Sequence, residues 1–559
     1  MAQTLYYNGT IITVNDDQPL AEAVLVEGES IKAVGSLADV AAQADDAAEK
    51  IDLDGKTMTP GFIDGHSHMV FSCLFPRFDA PPTGEIDSVE KLVAAIKAYL
   101  EENPVKGDNW LVGMGYDNHT FPDGKHPTRY DLDKASAEVP IVMMHSSGHV
   151  GCCNSKVLEI CGITKETPNP EGGIYQKDSV TGEPTGMVEE AALTQYVLGK
   201  FMPRPTPEFM MEGVQRSEKM YLSYGITTAQ DGSFDLNTVP LVAGMHKMGL
   251  LKIDLYVYPQ IEMLGDLADQ VPRASEAEYV DGVKIAGVKF FLDGSPQAKT
   301  AWLSEPYYIV PEGEADDYRG YAVHPNDDEV CGYFKQALEH GWQIICHANG
   351  DAAIEQFIIQ YARAQKETGI YDALRPVVIH CQTVREDQLD RMKEIGLLPS
   401  FFHDHVYLYG NLHLDSVLGP DRGRRISPLT SAVKRGMSFT MHQDTPVIHP
   451  NMILSMHHAV NRKTSSGRDI GPEYAVEPME ALRAITIYGA YQTFEEKSKG
   501  SIEPGKMADF VILDKNPLEV PKESIKTIKV LQTIKKVKWF IKQNRIIGRI
   551  IIIKNGSIL

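Results

Sequence analysis

From about residue 57 to residue 495 the chain repeats one rhythm: a short apolar run, often closed by a polar residue, then a longer helical pattern. The runs include YGITTAQDG (224–232), KIDLYVYPQ (252–260), GVKFFLDG (287–294), WQIICHANGD (342–351), PVVIHCQ (376–382), IGLLPSFFHDH (395–405) and MSFTMHQD (437–444). Helical patterns over Asp327–His340, Ala353–Thr368 and Glu386–Ile395 fall between them. Alternation on this scale predicts parallel βαβ units. Seven or eight such units predict an α/β fold of the (β/α)8 TIM-like barrel type. Such a barrel carries its chemistry at the carboxyl ends of its strands, so the polar residues that close the runs deserve the closest reading.

The two ends of the chain read differently. Residues 4–34 alternate short β-like runs with Asn-Gly, Asp-Asp and Glu-Gly turns, and GKMADFVILD (505–514) is a strand of the same kind. A small composite β-sandwich domain is expected from residues 1–56 plus 497–559, flanking a barrel over 57–496. Residues 75–210 break the barrel rhythm and are rich in Gly, Pro and Asn, as in NPEGGIYQKDSVTGEPTG. They read as an inserted cap or subdomain after the first barrel strand. From Pro521 to Leu559 there are ten Lys/Arg and one acid, Glu523, which reads as solvated strands and a tail.

The first strand ends in TPGFIDGHSHM, residues 59–69. Alternate side chains of a strand share a face, so His66 and His68 point the same way and can grip one divalent ion. Spacing alone is weak: with 18 histidines in 559 residues a chance pair is unremarkable, and His403-Asp404-His405 is a second one. The other strand ends supply the context. GVKFFLDG offers Lys289, WQIICH offers His347, PVVIH offers His380 and MSFTMHQD offers Asp444. Nitrogen and carboxylate donors of this kind suit zinc, with Mn, Fe, Co and Ni as alternatives.

Composition bounds the function. A net charge of −22 argues against nucleic acid, whose phosphates require a basic surface. Seven cysteines with no C-x-x-C pair are neither a disulfide framework nor a zinc ribbon and suit a reducing cytosol. No apolar run reaches the roughly 18 residues that span a bilayer, and MAQTLYYNGTIITVN lacks a signal-peptide pattern. A cytoplasmic protein acting on a small molecule is expected, with neither nucleic acid nor membrane as partner and a homodimer as the base expectation.

The His-x-His after PGFIDG, followed in order by Lys289, His347, His380 and Asp444, resembles the amidohydrolase superfamily of metal-dependent hydrolases. GVKFFLDGSPQAKTAWLSEPY, CHANGDAAI, VVIHCQTV and EPMEALRAITIYGAYQT…GSIEPGKMADFVILDKNP resemble more narrowly the branch that includes N-substituted formamide deformylases. SSGHVGCCNSKVLE and PNPEGG…GEPTGMVEEAA in the insertion match that branch too, and the likeness fades after about Gln532. The resemblance implies that His66, His68 and Asp444 hold one metal, that His347 and His380 hold a second, and that a carbamylated Lys289 bridges them. It implies hydrolysis of a non-peptide C–N bond, amide or formamide, with Asp444 as general base and then acid. Hydrolysis of a cyclic amide, carbamate or ester on the same site remains open, as does a catalytically silent binding or regulatory member. An ordinary lysine has no lone pair to ligate with, so the alternative for Lys289 is a pair with Asp293.

Further candidates are softer. His149 on the insertion and His405 at the end of IGLLPSFFHDH are substrate-binding candidates, each with a structural alternative. Asp351 is a candidate orienter of a ligand histidine. Trp302 and Tyr307 line the pocket or belong to the core. His442 shares the strand face of Asp444 without being required by the family pattern, and His457-His458 read as non-ligands.

Overall fold

The computed structural model describes residues 2–70, 77–79, 86–105, 107–145, 147–203, 206–311, 313–536 and 538–542. The basic tail beyond 542 and Cys73 lie outside the described residues. The central strands form two parallel sheets. One runs Val283–Ile285, Asp254–Tyr258, Ile226–Gly232, Phe62–Ile63; the other runs Gly287–Phe291, Gln343–Ala348, Val377–His380, Leu398–Phe401, Thr440–Met441. Their residues are buried on both faces almost throughout, which is why they read as continuous apolar runs rather than alternating ones. The sheets touch where Lys289 N donates to Pro259 O at 2.7 Å. At the other seam Gln492 bridges Gly65 O and Thr440 Oγ1, at 2.8 and 2.7 Å.

The helices between strands begin and end where local chemistry directs. Asp327–His340 starts on the Asn326 cap, carries Asp327, Asp328 and Glu329 in its first turn, and stops at Gly341 with φ 68°. The cap and acids satisfy and complement the helix N-terminus. Glycine takes the left-handed stop without a Cβ penalty. Helices Asp351–Thr368 and Glu386–Ile395 end the same way, at Gly369 and Gly396.

Both termini meet in one further sheet of eight strands, with Phe510–Leu513 antiparallel to Thr57–Pro60. Thr57–Pro60 pairs with Gln3–Ile12 on one side and Phe510–Leu513 on the other, which joins the two ends of the chain in one continuous ladder. The insertion contributes a six-stranded sheet, Arg77–Asp79 through Gly173–Lys177 and Pro184–Glu190, with its own apolar cores around Val112 and Leu111. Lys535 of the basic segment is not solvated: it is buried on Asp254 and Asp509. Among the described residues no helix is long and apolar enough to cross a membrane.

Candidate metal centre

His66, His68, Lys289, His347, His380 and Asp444 converge at the carboxyl ends of the parallel strands. His66, His68 and Asp444 present ligand atoms that all lie within 4.8 Å of one another. His66 Nε2 and His68 Nε2 stand 3.5 and 3.3 Å from Asp444 Oδ1. A tetrahedral zinc with bonds of roughly 2.0–2.1 Å would set its donors about 3.4 Å apart.

The hydrogen-bond network fixes which ring atoms carry lone pairs. Gln230 Nε2 donates to Gly65 O at 2.8 Å, so its Oε1 accepts from His66 Nδ1. His68 Nδ1 donates to Gly232 O at 2.7 Å. Each ring thereby turns Nε2 toward the buried Asp444 Oδ1. Two ring nitrogens and a carboxylate oxygen converging on one point fit a divalent cation. Burial opposes a charge on His68, yet the Asp444 carboxylate outweighs it and raises its pKa. The centre attracts positive charge.

His347 and His380 form the neighbouring half. His347 Nε2 lies 3.1 Å from both Gly294 O and Asn349 Nδ2, and its Nδ1 faces His380 Nε2 at 3.0 Å. His380 Nε2 is 3.9 Å from Asp444 Oδ2. His380 and Asp444 both hold left-handed backbone, φ 69° and 53°, strained for residues with a Cβ and a common mark of functional sites.

Lys289 is fully buried between the two halves, with Nζ 3.3 Å from His66 Nε2. Burial pushes its pKa down to about 8. The alternative pair with Asp293 is not formed. Asp293 instead accepts the backbone N–H groups of Trp302, Asn349 and Gly350, and burial still pushes it up to about 7.

One position differs from expectation. Asp351 does not orient a ligand histidine: it opens a helix and turns to Ser304 and Arg385, while Gly294 O takes the expected place beside His347. Trp302 packs against the central core, and Tyr307 is buried with its hydroxyl on Ala301 O. His458 pairs with Asp404, away from the centre. His149 is brought in: its ring lies 4.9 Å from that of His347. His405 rests on Phe402, 6.4 Å from His380.

Sequence reasoning does not single out Gln230 or Glu190. Gln230 closes the run YGITTAQDG and is legible as a strand-end polar residue. Glu190 accepts from His149 Nδ1 at 2.8 Å, and its other oxygen is buried without a partner. That oxygen sits against Gly294, where an added Cβ would come within 2.3 Å of it. Nothing in its local sequence marks it.

Residues 49–537 match the sequence profile of the amidohydrolase family. The chain belongs to that family. As an amidohydrolase family member it is 25% identical to the N-substituted formamide deformylase of Arthrobacter pascens over 543 residues, 95% of this chain and 97% of that protein. It is 27% identical to the protein LONG AFTER FAR-RED 3 of Arabidopsis thaliana over 534 residues, 92% of this chain and 88% of that one. Among solved structures it is similar to an uncharacterized metal-dependent hydrolase from Pyrococcus furiosus. The TM-score there is 0.70 at 25% identity, covering 93% of this chain and 100% of that one.

Proposed function

We propose that this amidohydrolase family member is a metal-dependent hydrolase of a non-peptide C–N bond, in an amide or N-substituted formamide. The carrying observation is the convergence of His66 Nε2 and His68 Nε2 on Asp444 Oδ1. His66, His68 and Asp444 would hold one divalent ion, most simply zinc, and His347 and His380 a second. Lys289 would bridge them as a carbamate. Its buried amine, lowered to about 8, supports this, since only the neutral amine attacks CO2. The bound ions supply Lewis acidity and lower the pKa of water.

The chain's own residues do the rest. Asp444 accepts the proton of the attacking water on its carboxylate and returns it to the leaving nitrogen. Gln230 and Gly232 O keep the rings of His66 and His68 aimed. His149, held by Glu190, stands on the insertion side of His347 and would contact the substrate, with His405 on the opposite flank.

The same reading makes the two parallel sheets halves of one (β/α)8 barrel over residues 57–496. The backbone seam at Pro259–Lys289 and the Gln492 bridge support it. Residues 75–210 would be its cap, and 1–56 with 497–559 its companion β domain.

The test is a screen of the metal-loaded protein against N-formyl amines, N-acyl amines, cyclic ureas and esters. Turnover of an N-formyl or N-acyl amine supports the reading. Turnover of cyclic ureas or esters alone replaces it with the ring or ester chemistry. No metal uptake even with bicarbonate present would point to a silent member.

A further inference from the structure

We infer that His442 is a positioning residue that sets which nitrogen of His380 faces the second metal position, at the end of a hydrogen-bond relay that starts on the Gly65 carbonyl. The inference rests on the two-metal reading above.

The relay has one permitted polarity. Gly65 O only accepts, so Gln492 turns its amide nitrogen to it, at 2.8 Å. Gln492 Oε1 then faces Thr440 Oγ1 at 2.7 Å and takes its single hydroxyl proton. Thr440 Oγ1 is also aimed at Ser400 Oγ, 2.7 Å away, but its single proton is held by the acceptor-only Gln492 Oε1, so Ser400 must donate in that contact. With that proton spent, the 2.8 Å contact between Ser400 Oγ and His442 Nδ1 has the ring donating. His442 is fully buried with neither ring nitrogen on a carboxylate, so it is neutral and its Nε2 is an acceptor. His380 Nδ1, 3.1 Å away, donates to it.

His380 is therefore left with its lone pair on Nε2. That atom faces His347 Nδ1 at 3.0 Å, while His347 Nε2 lies 3.1 Å from both Gly294 O and Asn349 Nδ2. Two ring nitrogens this close suit a shared cation. The same Gly65 carbonyl also receives Gln230, which aims His66. Its two lone pairs thus anchor ligands of both metal positions. Gly65 has no room for a side chain there, since a Cβ would come within 2.7 Å of Thr440 Oγ1 in the relay.

Without His442 the proton of His380 is free to move to Nε2, and the second position loses a ligand while the first keeps all of its own. The protein is stripped of metal and reloaded with zinc in bicarbonate. Bound equivalents are counted by elemental analysis and affinities read by chelator competition. Orienting partners of metal-bound histidines are worth about 10–100-fold in affinity. His442→Ala should therefore weaken the second equivalent by about 10–100-fold and leave the first unchanged. His442→Gln, which offers an acceptor to His380 and a donor to Ser400, should restore most of it. Ser400→Ala should give a smaller loss of the same kind, and keeps the test alive if His442→Ala does not fold.

Nitrogen-15 spectra of the histidine-labelled, metal-free protein read the ring directly and should show His380 protonated at Nδ1. Unchanged affinity for both ions in His442→Ala, equal loss of both, or His380 protonated at Nε2 in the wild type would each overturn the inference. A wild type with the Nδ1–H ring that binds no second ion upholds the relay and overturns the two-metal reading instead.

Discussion

Two buried lysines mark opposite ends of the parallel strands, and their surroundings differ in what faces the amine. Lys535 lies at the amino end of strand Asp254–Tyr258, 2.7 Å from both Asp254 and Asp509, and Asp254 also takes Lys499 at 2.6 Å. Burial alone would lower the Lys535 pKa, but the two carboxylates raise it, and the lysines in turn hold Asp254 below the usual carboxylate range. Lys289 lies at the carboxyl end with a histidine 3.3 Å away and, among the described residues, no ion pair to a carboxylate. There burial wins, and the amine falls to about 8. A desolvated charge persists where an opposite charge repays the cost. Where none does, the balance moves toward the neutral, nucleophilic amine. One end of the strands is built to hold, the other to react.

The sharpest way to break this contrast is Asp444→Asn. If the carboxyl end is the reactive one, hydrolysis of whichever screened amide proves active should fall by about 10²–10⁴-fold, the usual worth of a general acid–base group. Zinc content measured alongside should be largely retained. Surviving activity would remove Asp444 from proton transfer. Next in size, Lys535→Met takes the cation from Asp509 and leaves Asp254 with Lys499, and removing one partner of a buried pair costs about 3–5 kcal/mol. Lys289→Met removes an amine with no carboxylate to strand, so thermal melting of the metal-free proteins should drop for the first variant and hardly move for the second. Equal drops would erase the distinction.

The two ends should also answer pH in different ranges. Neutral Lys289 amine grows as pH rises through about 8. Carbamate formation at fixed dissolved CO2, read by mass spectrometry or carbon-13 signals, should therefore rise several-fold from pH 7 to pH 9. Asp254 has a folded pKa below its unfolded value, so its contribution is fully present above the ordinary Asp pKa of about 3.9. That contribution is lost as pH falls below this, and denaturant midpoints should decline on acidification and do so less in an Asp254→Asn variant. The smallest effect concerns the insertion. Glu190→Gln keeps a hydrogen bond to His149 but removes the charge beside it, and should change KM more than kcat by a few-fold.

Much of the reactive end was legible because its residues close apolar runs. Lys289, His347 and His380 lie within or at the end of strands whose burial makes their pattern plain, and His66 with His68 follow a short one. Asp444 was found the same way although its strand is only Thr440–Met441. Glu190 was not, since it reaches His149 from 41 positions away. The relay through Gln492, Thr440, Ser400 and His442 was equally hidden: Gln492 and Gly65 are 427 residues apart. Asp351 shows the converse error, a residue near His347 in sequence whose helix turns it toward Ser304.

The sequence by itself determined the alternation of strand and helix, the six strand-end donors and the family they resemble, because burial periodicity and residue chemistry are local properties. Only the tertiary structure decided where each proton sits. A ring nitrogen becomes ligand or donor according to the carbonyl, amide or hydroxyl across from it, and those partners come from strands and helices hundreds of residues apart.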